Sequence, residues 1–152
     1  MDKSQLTHNI KSKLFSLGFD FVGISKADFL AEEAPRLENW LKSNQHGEMQ
    51  YMAQHGMMRA RPAELLPGTL RVISVRLDYL PEAAGFATNL ADPTQAYISR
   101  YALGRDYHKI IRQKLKQLAD KISAVQGEFG FRPFVDSAPV LERPLAAKAG
   151  LG

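Results

Sequence analysis

The chain has 152 residues, 45% hydrophobic and 24% charged, the composition of one globular domain with a sizeable core. Its formal charge of +4 suits an anionic partner such as RNA without requiring one. It contains no cysteine, which excludes disulfides, thiolate metal sites, a cysteine nucleophile and cysteine-ligated iron–sulfur clusters within these residues.

The opening Met1-Asp2-Lys3-Ser4-Gln5 has no apolar signal region. No apolar run approaches the ~20 residues that span a bilayer. A cytoplasmic location with no membrane partner is therefore expected.

Leu6, Ile10, Leu14 and Leu17 recur at helical spacing and predict a first helix, with Ser4 as its N-cap and Gly18 at its end. Phe19 to Ile24 alternates and reads as a strand. A second helix is expected around Leu37, Trp40 and Leu41, with Pro35 in its first turn. Gly47 to Gln54 reads as a short helix, and Met49, Met52, Met57 and Met58 suit adaptable packing. Leu65-Leu66-Pro67-Gly68 is a turn. Thr69 to Tyr79 is the clearest strand, Val72, Ser74, Arg76 and Asp78 alternating with Ile73, Val75, Leu77 and Tyr79.

Pro81 to Pro93 reads as a loop, and Tyr97 to Tyr101 as a further strand. The longest helix is expected from about Asp106 to Val125, with Ile110, Ile111, Leu115, Leu118, Ala119 and Ile122 on its apolar face. Phe131 to Val135 is the last expected strand. Pro139 to Lys148 is the last expected helix, with Pro139 in its first turn. The expected fold is α/β, an α+β layered sandwich: one domain over residues 1–152 with a central mixed sheet flanked by helices.

Asp136 closes the last apolar run, and small residues and a proline follow it. A carboxylate at such a strand-to-helix corner is a candidate proton donor where burial favours its neutral form. The alternative is that Asp136 or Ser137 caps the next helix. Arg59 and Arg61 flank a turn and either grip an anion bidentately or sit in solvent. Ser99 to His108 brings tyrosines, arginines and a histidine to the entrance of the long helix. Such loops often hold anions; the alternative is capping by Asp106 with the tyrosines packed nearby. Lys109, Arg112, Lys114, Lys116 and Lys121 form a basic stripe that meets an RNA backbone or is simply solvated. His8, His46, His55 and His108 lack paired metal-ligand spacing, and no metal site is predicted. There is no P-loop and no G-x-G-x-x-G.

Four stretches, in this order, carry a family resemblance: Gly47 to Met52; Arg61-Pro62 with Leu65 to Gly68; Tyr101 to His108; and Phe134 to Arg143 continuing to Gly152. Together they resemble the N-terminal part of epoxyqueuosine reductase, a cobalamin-dependent iron–sulfur enzyme of tRNA modification. The resemblance implies reduction of the epoxide of epoxyqueuosine, at the wobble position of tRNA, to the alkene of queuosine. It implies a cobalamin in a cleft, with Asp136 as proton donor beside it. Arg59 and Ser99 are implied corrin contacts, and Tyr107, His108 and Arg143 are candidates for the same cleft. Two 4Fe–4S clusters, held by cysteines in a ferredoxin-like region beyond Gly152, are implied for the full-length enzyme, as is further tRNA-binding surface. The chain is accordingly read as a fragment, inactive alone and open to self-association, of an enzyme expected to be monomeric. The competing readings are a non-catalytic cobalamin-handling or RNA-binding module and a corrinoid dehalogenase-like domain.

Overall fold

A computed structural model describes residues 2–79 and 85–151. In chain order its elements are α1 (Lys3–Ser16), β1 (Phe21–Lys26), α2 (Glu33–Lys42), α3 (Gln50–Gln54), β2 (Arg71–Arg76), α4 (Phe86–Ala91), α5 (Tyr107–Gln126) and α6 (Glu142–Lys148). Short 3-10 turns occupy Gly56–Ala60, Pro62–Glu64 and Arg100–Ala102. Among the described residues, no helix is long and apolar enough to cross a membrane.

α1 is capped by Asp2, whose carboxylate accepts from the Ser4 N–H, so the cap lies two residues before the expected one. Gly18 ends the turn in the left-handed region at φ +83°, which glycine adopts without a Cβ penalty. The chain then enters β1, which pairs antiparallel with β2 from Phe21 opposite Arg76 to Lys26 opposite Arg71.

Strand alternation sends neighbouring side chains to opposite faces, so this two-stranded sheet serves two apolar clusters. On one face, Val22 joins Leu14, Phe19 and Leu118, with Ile73, Val75, Ile111 and Leu115 packed against them; this seats α1 and α5. On the other, Val72 packs against Leu30, Ala34, Ala60, Ala138, Val140 and Leu145, which brings in α2 and α6. Leu14 is fully buried and Leu145 nearly so. Burying a side chain of that size stabilises by about 1.5–3 kcal/mol. Gly23 faces α6 directly: a Cβ there would lie 2.4 Å from the Ala149 carbonyl oxygen and 2.6 Å from the Ala149 Cβ.

The helix–sheet layering matches the expected α/β class, but the sheet has only two strands among the described residues, and they are antiparallel rather than mixed. Tyr97 to Tyr101 forms no strand and leads into the 3-10 turn at Arg100–Ala102. Phe131 to Val135 forms none either, and Pro133 at its centre has no N–H to give a ladder. Within the expected loop 81–93, residues 86–91 are helical, and 81–84 lie outside the described residues. α6 starts at Glu142, three residues after Pro139.

Candidate functional site

Two local structures meet to form the site. The first is the start of α5. Asp106 is its N-cap: Oδ1 accepts from the His108 N–H at 3.0 Å. The same oxygen lies 3.0 Å from His108 Nδ1, and that hydrogen bond, more than any other influence, holds the Asp106 carboxyl below its ordinary value. The capping reading of this stretch is therefore met. The cap also turns Tyr107 and His108 out together, their rings stacked at 4.0 Å and 27°. Tyr101 meets Tyr107 edge-on at 6.0 Å, and Tyr79 meets Tyr101 edge-on at 6.3 Å. A ladder of aromatic rings thus runs toward the corner.

The second is the corner at Asp136. Phe134 on one side and Ala138 and Val140 on the other are tied into the core. Between them the backbone passes through Asp136 at φ +56°, a left-handed conformation that Asp tolerates better than most residues. Its side chain is left 53% exposed. The apolar run before it, Phe131 to Val135, forms no strand, so Asp136 does not stand at a strand end. The capping alternative is corrected too: Leu141 is the N-cap position of α6, with no side-chain cap bond.

Asp136 is held by hydrogen bonds instead. The Tyr107 phenol donates to Oδ2 at 2.5 Å, and His108 Nε2 lies 3.4 Å from the same oxygen. Donation to Asp136 is the main reason the Tyr107 phenol is pushed up to about 12, so at neutral pH it remains a proton-bearing donor. His108 is bracketed by two carboxylates, Asp106 at Nδ1 and Asp136 at Nε2. Behind Asp136, its own N–H donates to Glu142 Oε1 at 3.1 Å. Burial, and then the Asp136 charge, raise the Glu142 carboxyl above its ordinary value. Arg112 of α5 donates to Ser137 Oγ at 3.3 Å, a second tie between the two structures. The cluster thus turns a phenol and an imidazole onto one exposed carboxylate oxygen, Asp136 Oδ2.

Of the residues singled out from sequence, Asp136, Tyr107 and His108 come together. Arg59 is buried and employed elsewhere: its Nη2 donates to the Tyr51 carbonyl at 2.8 Å and its Nε to the Met52 carbonyl at 3.3 Å. Its own carbonyl accepts from the Leu141 N–H at 3.1 Å, next to α6. Ser99 is exposed, and its carbonyl closes the 3-10 turn through the Ala102 N–H. Arg143 is exposed on the first turn of α6. Arg61 pairs with Glu64 at 3.5 Å and lies over the Phe29 ring. In the basic stripe, Lys114 turns inward to the Leu17 carbonyl and over Phe19, whereas Lys109, Lys116 and Lys121 are exposed. No group of three metal-ligating side chains occurs among the described residues.

A family model described as epoxyqueuosine reductase QueG, DUF1730, matches residues 59–137, more than half of the chain and nearly all of the site. The chain belongs to the epoxyqueuosine reductase family. It is 64% identical over 152 residues to the epoxyqueuosine reductase of Vibrio cholerae, covering all of this chain and 41% of that protein. It is 59% identical to that of Escherichia coli, covering all of this chain and 40% of the relative. The chain thus spans about 40% of the length of these curated relatives. A crystal structure of selenomethionine-labelled epoxyqueuosine reductase shares the fold at a TM-score of 0.80 and 23% identity, over 99% of this chain and 40% of that one. A structure of epoxyqueuosine reductase with an epoxyqueuosine-modified tRNA stem loop shares it at 0.79 and 24%, with the same coverage.

Within this epoxyqueuosine reductase domain, Glu142 is the site residue that sequence reasoning passed over. The available signal was its place six positions after Asp136, inside the stretch that carried the family resemblance.

Proposed function

We propose that this chain supplies the proton-donating corner of a reductase that converts epoxyqueuosine in tRNA to queuosine, with Asp136 as the proton donor. The observation that carries this reading is the exposed Asp136 carboxylate gripped by Tyr107 and faced by His108. The names of the relatives support the reaction, and the tRNA stem loop in one related structure supports the substrate. The exposed Lys109, Lys116 and Lys121 of α5 suit a polyanion, and a tRNA substrate would place the enzyme in the cytoplasm.

Turning the epoxide into an alkene takes two electrons and two protons and releases the oxygen as water. As the carbon–oxygen bond breaks, negative charge builds on the departing oxygen, and Asp136 transfers its proton there. Tyr107 and His108 orient the carboxyl, and solvent at this exposed corner returns the proton.

Cobalamin is the redox cofactor in this proposal, supplying electrons to the substrate when bound. A corrin brings its own nitrogen ligands, so it needs a flat apolar bed rather than a metal-ligand cluster. The exposed rings of Tyr79 and Tyr101, set edge-on to one another beside Tyr107, supply apolar surface there but no single flat bed. Arg59 and Ser99 are the corrin contacts that the family resemblance implies, and Tyr107, His108 and Arg143 are the candidates for the same cleft. The two 4Fe–4S clusters find no ligand here, because the chain has no cysteine. In this proposal they belong to the length of the relatives that this chain does not span.

Asp136→Asn in the full-length enzyme tests the role. Asn keeps the shape and tolerates the left-handed backbone but brings no acidic proton. Turnover of epoxyqueuosine-containing tRNA should fall by about 10²–10⁴-fold. Wild-type turnover would remove Asp136 as the donor.

A further inference from the structure

We propose that Glu142 is a positioning residue for Asp136: reaching back from α6, its carboxylate holds the Asp136 N–H, fixes the left-handed corner and so aims Oδ2 at Tyr107. The geometry is specific. Glu142 Oε1 accepts the Asp136 N–H at 3.1 Å, the residue whose φ is +56°. A non-glycine residue in that region carries a backbone cost, which persists only where the surroundings over-determine it.

Glu142 stands on a fixed base. α6 is anchored by Leu145, only 2% exposed, by the 3.5 Å pair between Lys148 and Asp28, and by Ala149 lying directly against Gly23. A side chain on the first turn of such a helix holds its place relative to the sheet. Glu142 is also half-buried, so water replaces its hydrogen bond less readily than at the open face of Asp136.

The role in turnover rests on Asp136 being the proton donor, but the contact can be tested without turnover. Tyr107 reports it, because its phenol is raised chiefly by the hydrogen bond to Asp136 and then by desolvation, with the charges of Asp136, Tyr101 and Asp106 adding smaller effects and His108 stacked on the ring. The experiment is NMR of this chain labelled at tyrosine Cζ, with Tyr107 assigned through Tyr107→Phe. Ionisation is followed from about pH 8 to about pH 11, across the range of an ordinary tyrosine near 10.

In the wild type, Tyr107 should remain protonated at the top of that range. Glu142→Ala should lower its midpoint by roughly one pH unit or more, toward the ordinary value. Glu142→Gln, which keeps an oxygen acceptor, should retain most of the elevation. An unchanged Tyr107 in Glu142→Ala, or an ordinary Tyr107 in the wild type, would overturn the proposal. Should Glu142→Ala fail to fold, Glu142→Asp, one methylene shorter, replaces it with the same two outcomes. If the NMR result is as expected while Asp136→Asn keeps full turnover, Glu142 still positions Asp136, and it is the proton-donor reading that fails.

Discussion

The Tyr107 phenol donates to Asp136 Oδ2 across 2.5 Å, joining the first turn of α5 to a corner 29 residues further along the chain. The bond gives folding a pH dependence. The phenol is pushed up to about 12 in the folded chain, against an ordinary value of 10.0. A group raised on folding stabilises fully below its unfolded value, and that contribution is lost as pH climbs toward its folded value. Urea unfolding midpoints should therefore show a component that is constant up to about pH 10 and declines above it. Tyr107→Phe should remove that component at every pH: the midpoint falls at pH 7, modestly because Asp136 is half-exposed to solvent, and the extra decline above about pH 10 disappears.

Gly23 is where α6 touches the sheet without an intervening side chain. In Gly23→Ala the new Cβ would meet the Ala149 carbonyl oxygen at 2.4 Å, so α6 must shift. Such overpacking costs about 1–3 kcal/mol. Thermal melts should show a fall of several degrees, since 1 kcal/mol is worth roughly 2–4 °C in a domain of this size. Gly130→Ala is the control: its Cβ would find Leu66 at an ordinary 3.7 Å, and its stability should stay within about 0.5 kcal/mol of wild type.

Arg59 closes α3 by donating to the carbonyls of Tyr51 and Met52 from a buried position. Arg59→Met leaves both carbonyls without their donor and should cost about 1–3 kcal/mol in denaturant unfolding. Arg59→Lys should recover only part, because an ammonium cannot reproduce the guanidinium fork. Titrating cob(II)alamin into folded Arg59→Lys, followed by its visible spectrum, separates the structural role from the corrin contact that the resemblance implies. Affinity unchanged from wild type would make Arg59 structural alone.

Periodicity alone was enough for α1, α5, β1 and β2. Each repeats its apolar residues at the period of its own backbone, and each is long enough for that repeat to stand out. α5 runs Tyr107–Gln126, one residue from the expected bounds, with Asp106 as its cap. Tyr97 to Tyr101 and Phe131 to Val135 carried the same kind of signal over five residues and formed no strand. A strand needs a neighbour to take its hydrogen bonds, and local sequence does not say whether one is there.

The site divides in the same way. The residue types at Asp136, Tyr107 and His108 mark each stretch as chemically suggestive, and the order of the four stretches along the chain points to the family. Their meeting was decided by tertiary structure, which lays the start of α5 across the corner before α6. Arg59 shows the same dependence on packing: its guanidinium donates to two backbone carbonyls because the chain brings a helix end within its reach. Glu142 and Asp136 sharpen the point. From sequence alone, Asp136 is a candidate proton donor at a strand end or a helix cap; folding makes it an exposed carboxylate whose backbone is held by the first residue of that helix. Periodicity and residue chemistry are local properties, written one turn or one strand at a time. Which oxygen faces which proton depends on the packing of elements far apart in the chain.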